Sequence, residues 1–263
     1  MSKRKVNGRK INQRQIEECW LVCCEGRTEV EYLRKLYDDF PEPKPKIQFG
    51  NNGKLCDCKS SKRVKGECIR QGPDIVKKVE QCRAYGNDFD RIFIVFDCDA
   101  NDGMRVNDIK NRFDDAIKLA VQKGFIPLWS NPCFEVWLLL HNNLFDTAYD
   151  ANMCQVKIMK LLKNMISNQN VKCDSYVCPN RPRCNSEYAC ENRAVHKPFC
   201  NSYSVLGGRE AIEKAVRNNK MQLQKVDQNM NFRNSKKYSR IVPGTNLYKF
   251  VEMLDEYSKK HIK

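Results

Sequence analysis

Apolar positions in this chain fall into short continuous runs separated by amphipathic stretches. Cys19–Cys24, Ile92–Phe96 and Phe125–Trp129 are strand-length runs rich in β-branched and aromatic residues. That is the pattern of strands buried on both faces of a parallel sheet. Between and after them, helical spacing predicts helices over 28–40, 73–85, 106–123, 133–141, 150–167, 208–230 and 246–261, with a further short strand at 46–49. Thr28 is the expected N-cap of the first helix. Asn131 is the expected N-cap of the 133–141 helix, with Pro132 in its first turn. Strands alternating with helices argue for an α/β fold with a mostly parallel sheet covered on both faces. No window approaches the length of a membrane span and the N-terminus lacks the apolar core of a signal peptide. A soluble, cytoplasmic protein is therefore expected.

Two of the apolar runs end in acids. Ile92–Phe96 leads into Asp97-Cys98-Asp99, and Cys19–Cys24 leads into Glu25-Gly26-Arg27-Thr28-Glu29. Ligands of open α/β sheets gather at the carboxyl ends of strands. In extended chain, residues i and i+2 point the same way, so Asp97 and Asp99 can face one hard cation. The alternative for the pair is a loop that caps the next helix. Gly26 permits a tight turn that leaves Glu25 at its strand's carboxyl end. Glu25, Asp97 and Asp99 together can hold Mg²⁺ or Mn²⁺ and leave one group for proton transfer. Glu29 and Glu135 can join them, although an acid in a helix's first turn is favoured by the dipole alone. His141 closes its helix, where a cationic imidazole is stabilised, so a structural role is expected for it. Trp137 and Leu138–Leu140 are expected core.

The glutamate after the first strand and the Asp-x-Asp after a later one resemble the Toprim arrangement. More closely, the chain resembles the RloB family of bacterial accessory and defence proteins. Four segments carry the likeness: Cys24–Tyr32, Val95–Asp99, Ser130–His141 and Pro243–Tyr248. The resemblance implies a Toprim-like α/β fold, divalent-metal catalysis, and a role beside an ATPase in phage-defence or restriction loci. What defence-associated Toprim proteins do points to RNA, in particular a folded RNA such as tRNA, with DNA as the other candidate.

Charge strengthens the nucleic-acid expectation. The formal net charge is +15, a balance that favours polyanions. Lys3, Arg4, Lys5, Arg9, Lys10 and Arg14 precede the first acid, and residues 209–240 hold nine Lys or Arg against three acids. Arg27, Arg209, Lys236, Lys237 and Arg240 are candidate phosphate contacts, with ordinary solvation as the alternative for each. No glycine-rich P-loop is present, so ATP hydrolysis would come from a partner.

Fifteen cysteines change the picture in two places. Cys173, Cys178, Cys184, Cys190 and Cys200, with His196, lie in a polar stretch with little apolar content that cannot build its own core. Structural zinc is the expected staple in a reducing compartment, with disulfides or free thiols as alternatives. Cys173, Cys178, Cys184 and Cys190 are the simplest ligand set, and Cys200 or His196 can replace one of them. Cys56, Cys58 and Cys68 supply only three ligands, and Cys82 or a cysteine of the other group would have to complete a second site.

The expected organisation is a basic tail (1–16), a Toprim-like core (17–168) with an insertion at 54–72, a cysteine-rich insertion (169–205), and a C-terminal helical region (206–263) packed on the core. The expected activity is metal-dependent phosphodiester hydrolysis in anti-phage defence. A non-catalytic nucleic-acid-binding or sensor subunit is the alternative, and phosphoryl or nucleotidyl transfer a third reading. Homo-oligomerisation is left open by the sequence.

Overall fold

The computed structural model of the protein describes residues 17–51, 54–55, 76, 80, 89–98, 106–142, 155–167, 203, 206–229 and 238–262. Asp99, Lys236, Lys237, the basic tail, Cys56, Cys58, Cys68, Cys82, Cys173, Cys178, Cys184, Cys190, Cys200 and His196 lie outside them. The elements are β1 (Cys19–Cys24), α1 (Arg27–Asp38), β2 (Lys46–Asn51), β3 (Lys54–Leu55), β4 (Arg91–Asp97), α2 (Val106–Gln122), β5 (Ile126–Asn131), α3 (Glu135–Leu139), α4 (Gln155–Ser167), α5 (Gly208–Asn229), a 3₁₀ turn (Tyr238–Arg240), β6 (Gly244–Thr245) and α6 (Tyr248–His261).

These strands form one sheet in the order β3-β2-β1-β4-β5-β6. β2, β1, β4 and β5 run parallel, and the two-residue strands β3 and β6 pair antiparallel at the edges. From β1 the chain goes outward to β2 by way of α1. The later crossover from β4 to β5, through α2, runs the opposite way. A shared crossover hand then requires α1 and α2 to lie on opposite faces, and they do. Trp20, Val22, Cys24, Phe93, Val95 and Leu128 pack with α1, α3, α4, α5 and α6 on one side. Leu21, Cys23, Ile92, Ile94, Phe96 and Trp129 pack with Val76 and α2 on the other. This is why β1 and the Ile92–Phe96 run of β4 are apolar at every position: both faces are covered.

Two helix starts differ from the sequence expectation. α1 begins at Arg27 with Gly26 as its N-cap, in extended conformation and without a side-chain cap. Thr28 is buried inside the first turn. The strand passes almost directly into the helix, which leaves room for a glycine at the cap position. Asn131 is the last residue of β5 and is followed by a cis peptide to Pro132, so neither opens a helix. α3 starts only at Glu135.

The Pro243–Tyr248 segment is an edge clamp. Thr245 Oγ1 donates to the Trp129 carbonyl (2.9 Å) and Thr245 pairs with Ser130 across the ladder. The Asn246 carboxamide accepts from the Trp129 N–H (2.7 Å) and donates to the Pro127 carbonyl (2.9 Å), so one side chain continues the ladder where β6 stops. A Cβ on Gly244 would collide with Ile241, which accounts for the glycine there. α5 holds this segment with amides in place of apolar side chains. Asn219 donates to the Thr245 carbonyl, Gln222 to that of Pro243 (both 2.8 Å), and Asn218 to that of Leu140 (2.7 Å). All three amides are buried. They satisfy carbonyls of irregular chain that would otherwise be buried unpaired.

His141 is buried beneath α1. The Tyr32 hydroxyl and His141 Nε2 are 2.8 Å apart, and Nδ1 lies 3.1 Å from the Trp137 carbonyl. Burial lowers its pKa from 6.5 to about 4, against smaller opposing effects of hydrogen bonds to the backbone of Trp137 and Leu138. The imidazole is therefore neutral at physiological pH. It donates from Nδ1 to the carbonyl and accepts from Tyr32, so the dipole-stabilised cation expected from the sequence does not form: desolvation outweighs the helix end.

Two predictions follow from this packing. Because the unfolded chain takes up the His141 proton first, stability falls as pH drops from 6.5 towards 4, by about 3 kcal/mol in total from this group. Denaturant unfolding at stepped pH measures the slope, and His141→Gln should flatten it in that window. Asn246→Ala removes both edge hydrogen bonds and leaves a buried strand N–H without its acceptor. It should cost about 2–4 kcal/mol, read as a lower urea midpoint at unchanged m.

Candidate active site

The sheet changes direction between β1 and β4, and a crevice at the carboxyl ends of such a strand pair is where open α/β sheets bind ligands. Three acids lie at this point. The Glu25 N–H extends the ladder to the Val95 carbonyl (3.0 Å), after which the chain turns away at Gly26. The Glu25 carboxylate then reaches across to accept from the Asp97 main-chain N–H at 3.3 Å. Asp97 closes β4 with the same alternation as Phe93 and Val95, which puts its side chain on the α1 face. It is only 7 % exposed.

Glu29 lies in the first turn of α1 and is 4 % exposed. Its carboxylate packs against Gly26 so closely that any Cβ there would collide with it. Cys24 reports the local field. Burial pushes its thiol pKa well up, and the negative charges of Glu29 and Asp97 push it further, against Arg34. Glu29 and Asp97 therefore act on the same buried point. Glu135 opens α3 just beyond β5 and is fully buried, between Phe134 and Val136 of the α1-side core. Ser130 of β5 stands in register with Asp97.

The structure thus brings Glu25, Glu29 and Asp97 together and places Glu135 towards the same edge and face. Among the described residues, no three His, Cys, Asp or Glu side chains converge closely enough to hold a metal ion in this geometry. Asp99, two residues beyond Asp97, is outside the described residues. The donor set fits a hard cation in its chemistry: these are carboxylate oxygens, and a cation would offset the repulsion of acids drawn out of water.

Basic candidates separate. Arg27 opens α1 at the acidic edge. Arg209 lies at the opposite end of α1, where its guanidinium covers the Phe40 ring (4.8 Å to the centroid) and donates to the Asp39 carbonyl. α1 has 12 residues, which separates Arg209 from the acids by about 18 Å along the helix. Arg240 closes the 3₁₀ turn, which is hydrogen-bonded to the end of β5 through Ser239. Sequence reasoning missed Asp114, Ser239 and the Tyr32–His141 pair. Asp114 and Ser239 are 125 residues apart and no local pattern links them.

A model of the RloB-like protein family matches residues 20–254. The chain belongs to the RloB-like family. No curated protein and no solved structure matches it. The matched span of this RloB-like chain includes Glu25, Glu29, Asp97, Asp99, Glu135 and the Thr245–Asn246 clamp. Among the described residues, no helix is long and apolar enough to cross a membrane.

The contact between Gly26 and Glu29 can be tested directly. Gly26→Ala meets only the far end of a flexible side chain and has an allowed backbone conformation (φ −112°, ψ 164°). Unfolding free energy should change by less than about 1 kcal/mol, while a crystal structure of the variant shows the Glu29 carboxylate displaced. An unmoved Glu29 would contradict the close packing.

Proposed function

We propose that this RloB-like protein is a Toprim-type, metal-dependent nuclease of anti-phage defence that cuts RNA, with tRNA as the first candidate substrate. The observation that carries this reading is the Glu25 carboxylate hydrogen-bonded to the Asp97 N–H across the β1–β4 switch point, with Glu29 buried beside it. Acids at such a crevice suit a cation and a proton, and the net charge of +15 suits a polyanionic substrate.

In this reading Asp97 and Asp99 would hold Mg²⁺ or Mn²⁺, with Glu25 either a further ligand or the general acid/base. The bound ion supplies charge that polarises the scissile phosphate and stabilises the leaving oxygen. The chain's own contribution is placement. The Asp97 N–H fixes the orientation of the Glu25 carboxylate, so Glu25 can take a proton from an attacking water. Gly26 lets the first turn of α1 approach, which brings Glu29 in as a further ligand or proton carrier. Glu135 shapes the α3 side of the crevice. Activation would come from a partner ATPase, since this chain has no P-loop.

Cleavage of total RNA, tRNA, plasmid DNA and single-stranded DNA with Mg²⁺ or Mn²⁺ tests the proposal, alone and with a candidate partner ATPase. Wild type should cut RNA and stop on chelation. Asp97→Asn and Glu25→Gln should each lose about 10²- to 10⁴-fold in rate while still binding substrate. Metal-dependent cutting of DNA alone would move the substrate. Binding without cutting in every condition would replace the nuclease with a nucleic-acid-binding or sensor subunit.

A further inference from the structure

One buried acid serves no part of the carboxylate edge. Asp114 lies in the middle of α2 and is 4 % exposed. Its carboxylate accepts two hydrogen bonds from one residue, the Ser239 N–H (3.0 Å) and the Ser239 hydroxyl (2.6 Å). Ser239 is also buried, and its carbonyl accepts from Asn131 Nδ2 at 3.1 Å. Asn131 ends β5, and the residue before it stands opposite Asp97. A chain of side chains therefore runs from α2 through the 3₁₀ turn to the strand beside the acidic edge.

The rest of the turn is also held. Tyr238 packs on Trp129, with ring centroids 5.4 Å apart, and the Ile241 N–H closes the turn onto the Tyr238 carbonyl (3.0 Å). Ile241 is in the α2-side core. Between these anchors Arg240 alone has an exposed side chain. No acid among the described residues forms a salt bridge with it. Burying a carboxylate is costly even when it is hydrogen-bonded, and here it rigidifies a three-residue surface turn. The product is an exposed guanidinium on fixed main chain, beside an edge whose acids repel phosphate.

We propose that Arg240 grips a backbone phosphate of the polynucleotide substrate, and that Asp114 and Ser239 are the positioning residues that hold it there. The inference rests on the nucleic-acid reading above. Arginine suits the task because its planar fork matches phosphate geometry in two-point contact. A phosphate contact made this way carries no sequence information of its own, so Arg240 should weaken or strengthen all substrates alike.

The test is equilibrium binding of fluorescein-labelled tRNA and of a labelled DNA duplex to the full chain, by anisotropy across a salt series. Arg240→Ala should weaken binding about 10-fold and lower the slope of log K against log salt by about 0.7 to 0.9, the share of one phosphate contact. Arg240→Lys should keep the slope and recover part of the affinity. Lys260→Ala, which removes an equal charge from the far end of α6, should leave both unchanged. Ser239→Ala keeps every charge but removes one donor from the buried Asp114 carboxylate, so it should lower the melting temperature and also lose affinity severalfold, measured where the variant is still folded. A merely structural role would lower the melting temperature and leave affinity of the folded protein intact. Wild-type affinity and slope in Arg240→Ala overturn the inference, whether or not the protein cuts. If wild type binds neither nucleic acid, the inference and the nucleic-acid reading fall together. If it binds but never cuts, only the nuclease falls.

Discussion

The parallel pairing of β1 with β4 is the constraint on which the rest of the molecule depends. These two strands are covered by helices on both faces, so every inward position must be apolar and every main-chain group must find its partner in the ladder. The ladder runs out when β1 turns into α1 at Gly26. Asp97 of β4 then has an N–H beyond the last β1 residue, and the Glu25 side chain takes the place of the missing carbonyl. The same act that completes the sheet fixes an acid at the crevice. Structure and candidate chemistry are thus joined at one hydrogen bond.

Elsewhere the fold relies on buried polar groups to immobilise irregular chain. Asn218, Asn219 and Gln222 of α5 hold carbonyls of segments that have no regular partners, and Asn246 extends the sheet past its last short strand. Asp114 does the same for the 3₁₀ turn. Such groups add little net stability when satisfied and cost several kcal/mol when one partner is removed. Their effect is to define one arrangement of the loops at the carboxyl edge. An apolar core would have held the helices together without specifying where those loops lie.

Burial also decides how titratable groups behave. His141 occupies the end of a helical segment, where a charge is favoured, yet desolvation keeps it neutral. It serves as a hydrogen-bond relay between Tyr32 of α1 and Trp137 of α3, the helices that carry Glu29 and Glu135. Cys24, beneath the acids, is held as an unreactive thiol by burial and by their charge. Reactive potential at this edge is therefore concentrated in the carboxylates.

Apolar runs and helical periodicity were enough to locate β1, β4, β5 and the long helices, because those signals are local: both faces of a central strand, or one face of a helix, are written in consecutive residues. The acids at the strand ends were legible for the same reason, since Glu25 and Asp97 directly follow apolar runs. Family membership was legible in four short segments. Edge strands of two residues, the cap at Gly26 and the strand end at Asn131 were not, because two or three residues carry no period. The neutrality of His141, the Asp114–Ser239–Asn131 chain and the separation of Arg209 from the acids arose only in the folded molecule. Each depends on residues more than 100 positions apart or on removal from water, and neither quantity is encoded in local sequence.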